Sequence, residues 1–119
     1  MNKLLLLIKT HLETKYERVY HEQAPINAIF PYIVFEVTTG FKNGERDDLT
    51  LIIDIWDRNQ SSMEIEDLTD KIDNLFHNEN LPTNEVLPTF FRENRLKVED
   101  PDKTLKRRQL RYSVQTYFK

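Results

Sequence analysis

An α+β fold, two helices packed on a mostly antiparallel sheet, is predicted by three observations. Strand-like runs stand on both sides of one central amphipathic segment. In that segment Ile65, Leu68, Ile72, Leu75 and Phe76 recur at helical spacing. In the closing stretch Leu110, Tyr112, Val114, Thr116 and Phe118 alternate, so they face one way on a strand. The element order reads α-β-β-β-α-β-β. At 119 residues the chain is expected to form a single domain, residues 1–119.

The first helix is expected over residues 2–16. Leu4 or Leu5, Ile8 and Leu12 recur at helical spacing, and Leu6 and Leu7 widen the apolar face. That face should be covered by the sheet or by a neighbouring subunit. The apolar run 4–8 is too short for a secretory signal, and Lys9, Thr10 and His11 follow it without a cleavage site. No stretch is long enough to span a bilayer, so no membrane partner is expected.

A short strand is expected at residues 18–20, then a loop bracketed by Pro25 and Pro31. Residues 32–39 and 49–57 are strands by their β-branched and aromatic content. Ser61 and Glu64 form a capping box for the second helix, and acids crowd its first turns, where the dipole favours them. Asn80 and Pro82 end it. Residues 86–91 and 96–98 suggest a further strand with a break near Pro88, and "VEDPDKT" is a turn before the last strand.

The hairpin between residues 32 and 57 has a register problem. Asn43-Gly44 signals a two-residue turn. A loop there would set Ile33, Phe35 and Val37 on the face of Asp54, Ile52 and Thr50. The apolar stripe of the second strand is Leu49, Leu51, Ile53 and Ile55. Aligning the stripes requires a shift of one residue, because each slip flips the face. Gly40 is the candidate bulge. "TGFKNGERDD" is therefore expected to be a protruding, partly mobile arm rather than a minimal turn. The other face, Thr50, Ile52, Asp54 and Trp56, is half polar, either solvated or set against another subunit.

The chain carries 17 Lys and Arg against 20 Asp and Glu, but unevenly. Residues 61–85 hold the acids Glu64, Glu66, Asp67, Asp70, Asp73, Glu79 and Glu85 against Lys71 alone. Residues 92–119 are mostly basic, with "KRR" at 106–108 followed by Arg111. One reading is a solvated acidic helix beside a basic strand that resists edge aggregation. A second is an acidic surface of one copy meeting a basic surface of the next, which closes into a ring if the rotation allows. A third is a nucleic-acid-binding module or small adaptor, with Lys103, Lys106, Arg107, Arg108 and Arg111 on phosphates and Tyr112 and Tyr117 nearby.

Chemistry is sparse. No cysteine is present, which excludes a disulfide framework, a thiolate nucleophile and a cysteine zinc site. His11, His21 and His77 lack metal-ligand spacing. Asp47 with Asp48, or Asp54 with Asp57, are acid pairs that turn formation and strand-end solvation explain. Two glycines make no phosphate loop, and G-x-S-x-G is absent. No enzyme, no catalytic or metal residue and no cofactor is expected.

The order of elements carries a family resemblance. A first helix precedes "RVYHEQAP", then "FPYIVFEV", a charged arm, and "LTLIIDIWDRNQSSMEIEDLTDKIDNLF". Pro31, Tyr32, Val34 and Phe35, then Ile55 and Trp56, with acids opening the following helix, resemble the tail-completion or tail-terminator (head–tail joining) proteins of long-tailed bacteriophages. The resemblance covers residues 1–78, and the remainder matches in strand character. It implies a virion structural protein, a ring usually of six copies on the end of the tail tube. Its partners would be the major tail-tube protein and the head connector, with DNA passing through. The docking residues would be Phe41, Lys42, Asn43, Glu45 and Arg46, and the subunit interface would hold Trp56, Asp54, Arg107, Arg108 and Arg111.

Overall fold

The computed structural model describes residues 1–83 and 86–118, with Thr39 described in its backbone alone. Helix α1 (Asn2–Glu13) is followed by strands β1 (Val19–His21), β2 (Tyr32–Asn43) and β3 (Arg46–Arg58), helix α2 (Met63–Phe76), and strands β4 (Glu79–Asn80), β5 (Thr89–Val98) and β6 (Leu105–Thr116). This is the expected α+β order, with the two-residue β4 added before the last pair. The strands form one sheet in the order β1-β2-β3-β6-β5-β4. β1 and β2 run parallel and every other neighbouring pair is antiparallel.

Both helices lie on one face of the sheet. Alternation along the strands sends Ile33, Phe35, Leu51, Ile53, Ile55, Leu110, Tyr112 and Val114 to that side. They are buried there with Leu4, Ile8 and Leu12 of α1 and Ile65, Leu68, Ile72 and Phe76 of α2. Leu5 and Leu7 pack at the margin of this core, whereas Leu6 is exposed. The helices are tied together by His11, whose Nε2 donates to the Leu75 carbonyl at 3.2 Å and whose ring stands edge-on to Phe76.

The capping of α2 differs from expectation. Ser62 is the N-cap, one residue late; the Ser61 hydroxyl accepts from Met63 N–H, and Glu64 Oε2 accepts from the Asn59 amide. β5 begins at Thr89, just after the expected break at Pro88, and runs unbroken to Val98 with Glu93 as a bulge between Arg92 and Asn94. Val86 makes an isolated bridge to Phe118 instead of opening the strand.

The register shift in the β2–β3 hairpin is present where the stripes require it. Pairing runs Thr38↔Thr50 and then Phe41↔Asp48, so Thr39 and Gly40 together oppose Leu49. The bulge sets Ile33 opposite Ile55, Phe35 opposite Ile53 and Val37 opposite Leu51. The expected protruding arm is corrected. The strands pair up to Asn43↔Arg46, leaving only Gly44 and Glu45 as a minimal turn. Gly44, at φ +66°, holds the first central position, where a type II′ turn needs positive φ. β6 follows β3 as far as Asp47↔Thr116, so the tip is three strands wide rather than a loose ribbon.

Candidate interaction face

The side of the sheet away from the helices carries the residues of opposite phase. On β3 these are Asp48, Thr50, Ile52, Asp54 and Trp56; on β6 they are Arg107, Gln109, Arg111, Ser113 and Gln115. β2 adds Tyr32 and Val34, and β5 adds Phe91, Leu96 and Val98. Phe91 and Leu96 are exposed, while Ile52 is covered by its neighbours. Open apolar and aromatic side chains on a sheet without a second layer mark an interaction face.

Trp56 organises one end of this face. Its ring stacks on Tyr32 at 6.4 Å, and the Arg107 guanidinium lies 4.8 Å over it. Arg107 Nε donates to Asp54 Oδ1 at 3.0 Å, and Gln109 Nε2 donates to the same oxygen at 3.1 Å. Tyr32 is flanked by Phe30 and Tyr20 in turn. Burial, then the neighbouring Tyr20, raises the Tyr32 phenol pKa above its ordinary value. Beside this cluster lies a groove of about 250 Å³. Tyr32, Val34, Asp54 and Trp56 line it from the sheet, and Glu22, Gln23 and Ala24 line it from the segment after β1. The segment that walls it is held to β2 by Glu22, whose N–H donates to the Phe35 carbonyl at 2.8 Å.

Of the residues singled out in the sequence for subunit contact, the fold brings Trp56, Asp54 and Arg107 together and sets Arg111 on the same face. Arg111 pairs with Ile52 on one side and Asn94 on the other, and its Nε is shielded from solvent without a partner among the described residues. Arg108 is elsewhere. It is in phase with Leu110 and Tyr112, faces α2, is 5% exposed and donates through Nε to Glu66. A surface role for Arg108 is therefore corrected: its charge is spent inside the chain. Of the docking residues, Phe41 is 82% exposed, while Arg46 Nε stands 2.9 Å from Asp48 Oδ1.

Arg108 belongs to a layer the sequence reading missed. Arg95 donates to Glu66 at 2.8 Å and to Asp70 at 2.6 Å, and Arg92 donates to Asp73 at 2.6 Å. Tyr112 Oη also donates to Asp73. Glu66, Asp70 and Asp73 line one side of α2, against bases on the inner face of β5 and β6. Part of the acidic helix and part of the basic strands thus meet within one chain, so these pairs are not available for contact between copies. Glu85 of the acidic set lies outside the described residues.

The Arg108 hydrogen bond, opposed by partial burial and aided by Arg95, lowers the Glu66 pKa below its ordinary 4.5. A carboxyl with a depressed folded pKa stabilises fully above its unfolded pKa and loses that contribution as pH falls through the folded value. Urea unfolding of Glu66→Gln is expected to show a shallower loss of stability below about pH 5 than the parent chain. Equal slopes would mean that the pair is not formed in solution.

Among the described residues no group of three or more His, Asp or Glu is placed to hold a metal, and no helix is long and apolar enough to cross a membrane.

With the geometry in view, comparison with known proteins gives two findings. A family model described as "Tail completion protein gp17" matches residues 7–117. A chain in the structure "Virion of native gene transfer agent (GTA) particle" has a similar fold, with TM-score 0.69 and 9% identity over 89% of this chain and 84% of that one. No curated protein matches the sequence.

Proposed function

Because the chain belongs to the tail completion protein gp17 family, and so is a structural protein of the virion tail, we propose that it forms a homo-oligomeric ring at the head-proximal end of the tail tube and joins tail to head. The ring is hexameric in this reading. Its lower neighbour is the major tail-tube protein, its upper neighbour is the head connector, and DNA passes through it.

The observation that carries the ring is the one-sided layering of the sheet. Helices cover one face, and among the described residues the other leaves Tyr32, Trp56, Phe91 and Leu96 without a covering layer. Trp56, Asp54, Arg107 and Arg111 are the contact residues on that face. The hairpin tip, with Phe41, Lys42, Asn43, Glu45 and Arg46, supplies docking contacts. Nucleic-acid binding as the main role has less support. Arg108 is buried on Glu66, Arg107 is held by Asp54, and Lys106 Nζ donates to the Lys103 carbonyl at 2.8 Å, so the basic residues do not form one phosphate-facing stripe.

Antibody labelling of assembled particles, viewed by electron microscopy, tests the reading. Label confined to the head–tail junction is the expected result. Label along the tube or at the distal tip would overturn it.

A further inference from the structure

We propose that the groove beside Trp56 receives Phe41 of a second copy of this chain, so that a knob on one subunit fills a hole on the next. The inference rests on the ring reading above and names the contact that would build it. Phe41 is the most exposed aromatic residue described, at 82%. It stands on a strand held on both sides of a two-residue turn, so its position is fixed by pairing rather than by a loose loop. A fixed, solvent-facing aromatic is the type of side chain that anchors protein contacts. The groove is its counterpart: Tyr32, Val34 and Trp56 give an apolar floor, and about 250 Å³ accommodates one aromatic ring.

Charge agrees with shape. The groove lining carries Glu22 and Asp54. Phe41 shares its sheet face with Arg46 through the pairs Phe41↔Asp48 and Asn43↔Arg46. The knob thus brings a guanidinium toward Glu22, Asp54 being already paired with Arg107 at 3.0 Å, and Arg46 can bridge from its own Asp48 to that acid.

Knob and groove cannot meet within one molecule. They lie on the same face of β2, seven to nine residues apart, which is roughly 25 Å of strand. Two different, complementary patches on one chain make a heterologous contact, which closes into a ring when the rotation permits. Lys42, on the opposite side of the strand with its Nζ 3.9 Å from Asp47 Oδ2, and Glu45, in the turn, take no part in this contact.

The absence of native cysteine makes disulfide trapping specific. A double variant, Asn43→Cys with Gln23→Cys, keeps the Phe41 ring and places the trap beside it on the same face; it would be mildly oxidised both as concentrated protein and in assembled tails. Both positions are exposed, so the fold should tolerate them. A ladder of covalent dimers, trimers and higher species is expected. The control Asn43→Cys with Met63→Cys, whose second position is exposed on α2, should give none. Protein present in tails without a ladder, or a ladder equally strong in the control, would overturn the knob-in-groove contact and leave the ring reading intact. Products that stop at dimers would keep the contact and overturn the ring. Protein found in no tail, and monomeric at high concentration, would overturn both.

Discussion

Gly40→Ala is expected to destabilise the chain by at least about 3 kcal/mol, while Gly44→Ala costs only about 1 kcal/mol. The two glycines serve different needs. A Cβ built on Gly40 falls 1.4 Å from the Asp48 carbonyl oxygen and 2.5 Å from its carbon. Those are backbone atoms of the partner strand, so no rotamer change relieves the clash. The bulge would have to open, and with it the register that sets Phe35 on Ile53 and Ile33 on Ile55. Closing the bulge instead would slip the strands by one residue, presenting the core stripe of β2 to Asp54 and Trp56. Gly44 has open space around its would-be Cβ, and only its φ of +66° opposes a side chain. Urea unfolding of both variants against the parent separates the cases. Equal costs would show that close backbone approach at Gly40 does not hold the register.

That bulge was legible in the sequence because two apolar stripes had to coincide and only a one-residue insertion allows it. The phase of β3 likewise placed Asp54 and Trp56 on one face; that Arg107 and Arg111 join them there while Arg108 does not is visible only in the pairing of β3 with β6. The arm was misread for a reason of topology: nothing in residues 39–48 reveals that β6 accompanies β3 to Asp47. The inner charge layer was missed for two reasons. Acids and bases were compared by chain segment, whereas a strand sends alternate residues to opposite faces, and Arg108 is in phase with Leu110, Tyr112 and Val114. Arg92 and Arg95 are three apart, which alternation assigns to opposite faces. The bulge at Glu93 returns both to the helix side. A bulge without glycine leaves little local signature, so that pairing became visible only in the fold.

Asp73→Ala is the second substitution expected to have a large effect, a loss of about 2 kcal/mol. Two opposing terms meet at this residue. Asp73 lies near the C-terminal end of α2, where a carboxylate faces the negative end of the helix dipole. Removing it relieves that repulsion by about 0.5 kcal/mol. Yet its side chain is 11% exposed, one oxygen accepts from Arg92 at 2.6 Å and the other from the hydroxyl of fully buried Tyr112. Truncation would leave the buried Tyr112 phenol in the core without an acceptor, while the Arg92 guanidinium, 35% exposed, turns to water; the orphaned phenol costs more than the dipole gain returns. The same geometry predicts an alkaline response. Burial, then the hydrogen bond to Asp73, raises the Tyr112 pKa above its ordinary 10.0. The stabilisation from keeping this phenol neutral is complete below that pH and is lost as pH rises beyond it. Asp73→Leu combined with Arg92→Met and Tyr112→Phe removes donors and acceptor together, and should recover most of the stability lost in Asp73→Ala. Urea unfolding at neutral pH decides the matter. If the triple variant is no more stable than Asp73→Ala, unpaired donors are not the source of the cost, and the packing of α2 on β5 and β6 must depend on the ion pair itself.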